Sequence, residues 1–189
     1  MAADHIDPMR PGEATLCRRV VETLGSKWPY PLLGGADDLR ALQWMLDEQG
    51  SQHFTALELT AVPPDKTALA RRLGFEALVP PRQWWPRVAA LVAVLERMRR
   101  DAGAQPVRVR WVWRPQALNR AVRGAPRSDH LEARAADCYL MDEAHRVACL
   151  AALQALEERH PEAHLAVGTG RTMLHVGVLR PGGPARWSY

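Results

Sequence analysis

Apolar residues recur along this chain with two periods, and the switches between them mark out the elements. In "WWPRVAALVAVLERMRRDAG", Val88, Leu91, Val92, Leu95 and Met98 keep the three-and-four spacing of an amphipathic helix, and Gly103 follows its end. "QPVRVRWVW" then alternates. Val107, Val109, Trp111 and Trp113 fall on one face and Arg108, Arg110 and Val112 on the other, as in a half-buried strand. Pro115 opens a short helix over "PQALNRAV", since a first-turn proline forfeits only an N–H that lacks an intrahelical partner. "RAADCYL" reads as a short strand. "DEAHRVACLAALQALEERHP" reads as a second long helix, capped by Asp142, with Val147, Leu150, Leu153 and Leu156 inward. "HLAVG" and "MLHVGVLR" form two further strands joined by "TGRT", and "RWSY" is expected to lay Trp187 over the sheet.

Residues 1–50 form a compositional unit of their own. A polar start leads to a helical pattern in "EATLCRRVVETLG", the turn-rich "SKWPYPLLGG", and a helix in "ADDLRALQWMLDEQG" capped by Asp37 or Asp38 and ending at Gly50. This segment is expected to be a helical arm or small subdomain, with the main domain over 51–189. The order helix, strand, short helix, strand, helix, strand, strand predicts an α+β fold, an antiparallel sheet flanked by helices rather than a repeating βαβ array. The chain carries no internal repeat and no low-complexity tract.

Composition narrows the function. With 189 residues and 47% hydrophobic content the chain can bury a real core. Its net charge of +4 comes mainly from arginines interspersed with acids. A nucleic-acid footprint needs basic residues gathered on one face, so nucleic acid is not expected as a partner. The three cysteines, Cys17, Cys138 and Cys149, show no CxxC spacing and read as reduced, packed thiols. No stretch reaches the ~18 apolar residues of a membrane helix and no signal-peptide core is seen, so synthesis as a soluble cytoplasmic protein is expected. Action on an external substrate would then require a separate route of release or export.

The chemistry concentrates in "APRSDHLEARAADCYLMDE". His130 and Asp137 are seven residues apart, roughly 23 Å along a straight strand, so they share an ion only if the chain doubles back between them. A zinc ion takes imidazole nitrogens and carboxylate oxygens at about 2.0–2.2 Å and needs a third protein ligand. His175 is the leading candidate, a polar ring within the apolar "MLHVGVL". Each residue also has a plainer role open to it, a hydrogen-bonded core histidine or a chance pair. His145, His160 and His164 lie in or beside charged helical segments and are expected to face solvent.

The order of residues resembles the zinc D-alanyl-D-alanine peptidases, the family of cell-wall carboxypeptidases and phage L-alanyl-D-glutamate endolysins. Its signature, SxHxxGxAxD followed by a later His, is met by "SDHLEARAAD" through Ser128, His130, Ala135 and Asp137, with Ala133 at the family's Gly. Upstream, "WRPQALNRAVRG" matches "SGYR…N…GG" at Arg114, Asn119 and Gly124, and "FTALEL" matches "FT…EL". The resemblance runs from about residue 53 onward. It implies a zinc site of His130, Asp137 and His175, an Arg114 that holds substrate or polarises its carbonyl, and a Ser128 that contacts substrate. It also implies peptidoglycan stem peptides, or related short peptides, as the substrate class.

One part of the pattern is missing. The family's general base stands in ExxH or DxxH before the last His, or in HxD after it, and the chain has Thr172, Met173 and Gly177 there. A stand-in base is sought in Glu132, Asp129 or His164. The alternatives are a reaction that needs no such base, or a zinc-bearing relative that binds cell wall or a protein without hydrolysis.

Overall fold

The computed structural model describes residues 12–28 and 38–189. The polar start and most of "SKWPYPLLGG" lie outside the described residues. Helix α1 spans Glu13–Thr23, α2 Asp38–Gln49, α3 Ala56–Thr60, α4 Thr67–Arg72, α5 Trp85–Asp101, α6 Gln116–Ala121 and α7 Glu143–Arg159. The strands are β1 (Arg108–Trp111), β2 (Ala135–Tyr139), β3 (Ala166–Thr169), β4 (Met173–Gly177) and β5 (Ala185–Ser188). They form one sheet in the order β1-β2-β4-β3-β5, antiparallel except where β5 runs parallel to β3. The expected α+β architecture is therefore present. Among the described residues no helix is long and apolar enough to cross a membrane.

The sheet has two chemically different faces because side chains alternate along each strand. Ala136 and Cys138 of β2, Leu174 and Val176 of β4 and Val167 of β3 share one buried cluster with Leu91 and Leu95 of α5 and Leu153 and Leu156 of α7. Helix α5 is buried on nearly all sides, which matches its almost unbroken apolar run from Val88 to Leu95. Helices α1 and α2, which the sequence sets apart as an arm over 1–50, contribute Cys17, Val20, Val21, Leu42, Met45 and Leu46 to that same cluster. A buried ion pair reinforces the junction: Arg87 of α5 donates to both carboxylate oxygens of Glu13 of α1, at 2.7 and 2.9 Å.

Three expectations need correction. Val147 is 54% exposed, because α7 buries His145, Cys149, Ala152, Leu153 and Leu156 instead. At about 100° per residue, Val147 and Leu156 are half a turn apart and cannot face the same layer. His145 is buried rather than solvent-facing; it lies in the first turn, where its backbone N–H donates to the Asp142 cap at 2.8 Å. The alternation of β1 is also broken. Val109 pairs with Cys138 but Trp111 pairs with Asp137, so a bulge at Arg110 puts Val109 and Trp111 on opposite faces. Trp111 leaves the main core for a smaller cluster with Leu78 and Leu118.

Two matched motif segments have structural explanations. In "FTALEL" the Thr55 hydroxyl accepts the Glu58 N–H at 3.2 Å as the cap of α3, and Glu58 accepts the edge-strand N–H of Val109 at 2.9 Å. Asn119 is buried on α6 and donates to the Ala125 carbonyl at 3.0 Å. A Cβ at Gly124 would come within 2.1 Å of the Asn119 side chain, so glycine is required where this loop meets the helix.

Candidate metal centre

The doubling back required for His130 and Asp137 occurs between them. His130 lies in a 3-10 turn over Asp129–Glu132, after which Ala133 adopts the left-handed region, φ 54, and the chain re-enters the sheet as β2. An L-residue there is strained where glycine is not, which accounts for glycine at this point of the family signature. Asp137 is directly opposite His175 of β4 in the antiparallel register, so the two side chains share a face. His175 is in turn opposite Gly168 of β3, and Gly168 is opposite Trp187 of β5. One row thus crosses the sheet through Trp111, Asp137, His175, Gly168 and Trp187.

His130, Asp137 and His175 are 1%, 7% and 5% exposed, and one candidate ligand atom from each lies within 4.8 Å of the others. The His130 Nδ1 is 2.8 Å from the Val112 carbonyl, so it carries the proton and donates it there. This leaves the Nε2 lone pair directed 3.2 Å from Asp137 Oδ1. Two electron-rich atoms then face one another in a buried space, and neither His130 Nε2 nor His175 Nε2 has a hydrogen-bond partner among the described residues. A cation satisfies that arrangement. His175 Nδ1 approaches the same carboxylate oxygen at 2.9 Å.

Electrostatics favour the ligating states of Asp137 and His130. Burial pushes the Asp137 carboxyl upward, but its close contacts with the His130 and His175 rings outweigh it and hold the carboxyl well below the usual range. Burial lowers His130 and exceeds the opposing pull of Asp137, which favours a neutral imidazole. Neutral imidazole and ionised carboxylate are the forms that bind a metal ion. His130, Asp137 and His175 therefore fit such an ion in number and type.

Arg114 and Ser128 join the three in one cleft of about 530 Å³. The Arg114 backbone N–H donates to the His130 carbonyl at 3.0 Å, its Nη2 donates to Ser128 Oγ at 3.1 Å, and its guanidinium lies over Trp111. Burial lowers the Arg114 pKa against the opposing charge of Asp137, which leaves a partly desolvated cation aimed across the cleft. Lys66, Arg110, Arg123, Arg127 and Arg180 add positive charge to the lining. Trp187 and Tyr189 build the opposite wall. Trp187 lies across Gly168, where a Cβ would come within 2.4 Å of the indole, and its ring centroid is 5.1 Å from that of His175. Sequence reading put Trp187 over the sheet but missed β5, whose four residues have little alternation of their own. It also missed Trp111 as a wall, since no residue type signals a bulge there.

The three candidate bases separate. Glu132 does not line this cleft: it pairs with Arg134 and lies 3.1 Å from Arg87, and it borders a neighbouring cavity of about 610 Å³. His164 lies in the turn before β3, beside a different depression near Glu13 and Leu16. Asp129 lines the cleft together with His130, Asp137 and His175. At the three positions lacking a carboxylate, the Thr172 carbonyl accepts the Leu140 N–H, Met173 borders the cleft and Gly177 follows His175 on β4.

Comparison with known proteins meets this geometry at the family level. No curated protein matches the chain. The family model described as Peptidase M15 matches residues 52–176, more than half of the chain, from the turn before α3 to the residue after His175. That span contains the whole His130–Asp137–His175 group and both cleft residues expected to meet substrate. The chain belongs to the Peptidase M15 family.

Proposed function

We propose that this chain is a zinc-dependent peptidase acting on peptidoglycan stem peptides, of the D-Ala-D-Ala carboxypeptidase or L-Ala-D-Glu endolysin type. The observation that carries the proposal is the His130 Nε2 lone pair, held 3.2 Å from Asp137 Oδ1 with its other nitrogen committed to the Val112 carbonyl. A bound cation relieves that juxtaposition without rearrangement. His130, Asp137 and His175 would hold the ion. Zinc at such a site supplies Lewis acidity and lowers the pKa of water.

The chain's own residues do the rest. Arg114, anchored by its backbone to the His130 carbonyl and by its side chain to Ser128, presents a desolvated cation to a substrate carboxylate or carbonyl. Ser128 keeps a hydroxyl at the same wall for a further substrate contact. The arginine-rich lining favours a peptide bearing several carboxylates, as stem peptides do, and the Trp187–Tyr189 wall narrows the cleft to a short extended segment. A second reading, a zinc-bearing module that binds wall peptide without cutting it, is favoured by one observation, the absence of a carboxylate at 172, 173 and 177.

The test is metal content of the purified protein beside mass spectrometry of muropeptides before and after incubation, with chelated protein as control. One zinc per chain with chelator-sensitive release of an amino acid or peptide is expected. Zinc with tight peptide binding and no product would establish the second reading, and a protein that takes up no zinc would remove both.

A further inference from the structure

We infer that Asp129 is the proton-accepting carboxylate of this site and replaces, from a different part of the chain, the carboxylate missing after His175. The inference rests on the zinc peptidase reading above. Gly177 is two residues beyond His175 on β4, so a side chain there would project from the same face as His175. This is the HxD position of the family pattern. A Cβ built at Gly177 would lie 3.5 Å from Asp129 Oδ2, which means that the Asp129 carboxylate already reaches the space such a side chain would enter. The same Cβ would stand 3.0 Å from Ala166 Cβ, tighter than ordinary contact. Glycine at 177 thus leaves room for an oxygen delivered from across the cleft.

The backbone makes that delivery firm. Asp129 opens the turn that carries His130, and its carbonyl accepts the Arg134 N–H at 3.2 Å, closing the turn on itself. Its carboxylate makes no hydrogen bond or ion pair among the described residues, although cations line the same cleft. Glu132, three residues on, is the contrast, since its carboxylate is engaged by Arg134 and Arg87. A proton acceptor has to be free in this sense and within reach of the reacting water.

The step balances as follows. One O–H bond of a water held at the site breaks, and its proton passes to Asp129 Oδ2. The oxygen lone pair forms a bond to the scissile carbonyl carbon, and the carbonyl π pair moves onto its oxygen. On collapse the C–N bond breaks, and the Asp129 carboxyl returns the proton to the leaving nitrogen. The products are a carboxylic acid and an amine, and no redox partner is needed.

The experiment compares wild type, Asp129→Asn and Glu132→Gln as zinc-loaded proteins. Zinc per chain, muropeptide turnover and calorimetric affinity for acetohydroxamate are measured for each; the hydroxamate offers an acidic proton to an acceptor beside the metal. Asp129→Asn is expected to keep one zinc, to lose at least about 100-fold in turnover and to bind hydroxamate at least about 10-fold more weakly. Glu132→Gln is expected to stay within about 3-fold of wild type in both. Asp129→Asn at wild-type levels, or with its zinc lost, would overturn the inference, the latter by making Asp129 a support for His130. Should wild type bind zinc but cut nothing, the hydrolase reading fails while the hydroxamate comparison still decides whether Asp129 serves the metal's open side. A wild-type protein without zinc would overturn both.

Discussion

Two buried charged clusters lie on either side of the turn that runs from Asp129 to Arg134, and they are built on opposite terms. In one, Glu13, Arg87, Arg134 and Glu132 answer each other: Arg87 grips both Glu13 oxygens, Arg134 also reaches the Leu179 carbonyl at 2.7 Å, and Arg87 donates to the Glu132 carbonyl at 3.2 Å. In the other, His130, Asp137 and His175 crowd a lone pair against a carboxylate and leave imidazole nitrogens without partners. Both contain conventional charged and polar residue types, and both are almost dry apart from the partly exposed Glu132. The closed cluster fastens α1 and the turn to α5. The open one could hold a cation. Burial by itself therefore does not mark a candidate site; what sets the second cluster apart is that its unanswered imidazole nitrogens converge with a carboxylate.

The comparison is broken most severely by attacking the closed cluster. Arg87→Met removes the main partner of Glu13 and is expected to cost about 3–5 kcal/mol, the usual penalty for stranding a buried charge. Urea unfolding measures it, and a loss under about 1 kcal/mol would show that Arg134 alone suffices. The open cluster should respond in the opposite way. His130→Ala or His175→Ala is expected to abolish zinc binding and the metal-dependent part of stability, about 4 kcal/mol at a thousandfold excess over Kd. Chelator should lower the melting temperature of wild type and leave these variants unmoved. Equal chelator sensitivity in wild type and variants would place the metal elsewhere.

A smaller closed arrangement sharpens the contrast through pH. Glu96 of α5 accepts from Ser51 Oγ and from the Gln52 and His53 N–H groups, at 2.7–3.0 Å, and its other oxygen is 2.8 Å from His53 Nδ1. Burial raises this carboxyl, but those hydrogen bonds outweigh it and hold it below its ordinary value. With the folded value depressed, the contribution is present above the unfolded carboxylate range and is lost as pH falls through the folded value. Glu96→Gln is expected to cost about 1–3 kcal/mol near neutrality and to flatten the acid limb of a stability profile taken from pH 7 downward. Least affected of all should be the thiols. Burial pushes Cys17 up to about 12 and Cys149 up to about 11, and Cys138 is raised as well. Iodoacetamide at pH 8 should leave all three unlabelled in the native protein and label them in urea.

Much of this molecule was legible in its sequence where one physical signal dominated. Helix α5 carries Val88, Leu91, Val92, Leu95 and Met98 at helical spacing, and Asp142 caps α7 as its position before an apolar-periodic stretch predicts. The reversal between His130 and Asp137 was posed by the sequence as the condition for a shared ion, and the left-handed Ala133 supplies it. Less legible were features decided by tertiary context. Val147 and His145 exchanged places because small Cys149 and Ala152 set the buried stripe of α7, a choice made by the facing layer. Glu132 looked as available as Asp129 in the sequence. Which carboxylate was free depended on Arg134 and on Arg87, a residue of the distant helix α5.

The bulge at Arg110 carries a consequence for how this protein tolerates change. Beyond it, Trp111 faces the cleft, and the Val112 carbonyl that fixes the His130 proton belongs to the same shifted segment. A side chain exchanged at position 110 leaves that phase intact. Deleting the residue would restore plain alternation, rotate everything from Trp111 onward to the opposite face, and carry away both the wall and the carbonyl while β1 still paired with β2. At this point in the chain a gap is expected to disturb more than an exchanged side chain, because the candidate metal centre depends on the count of residues before it as well as on their identity.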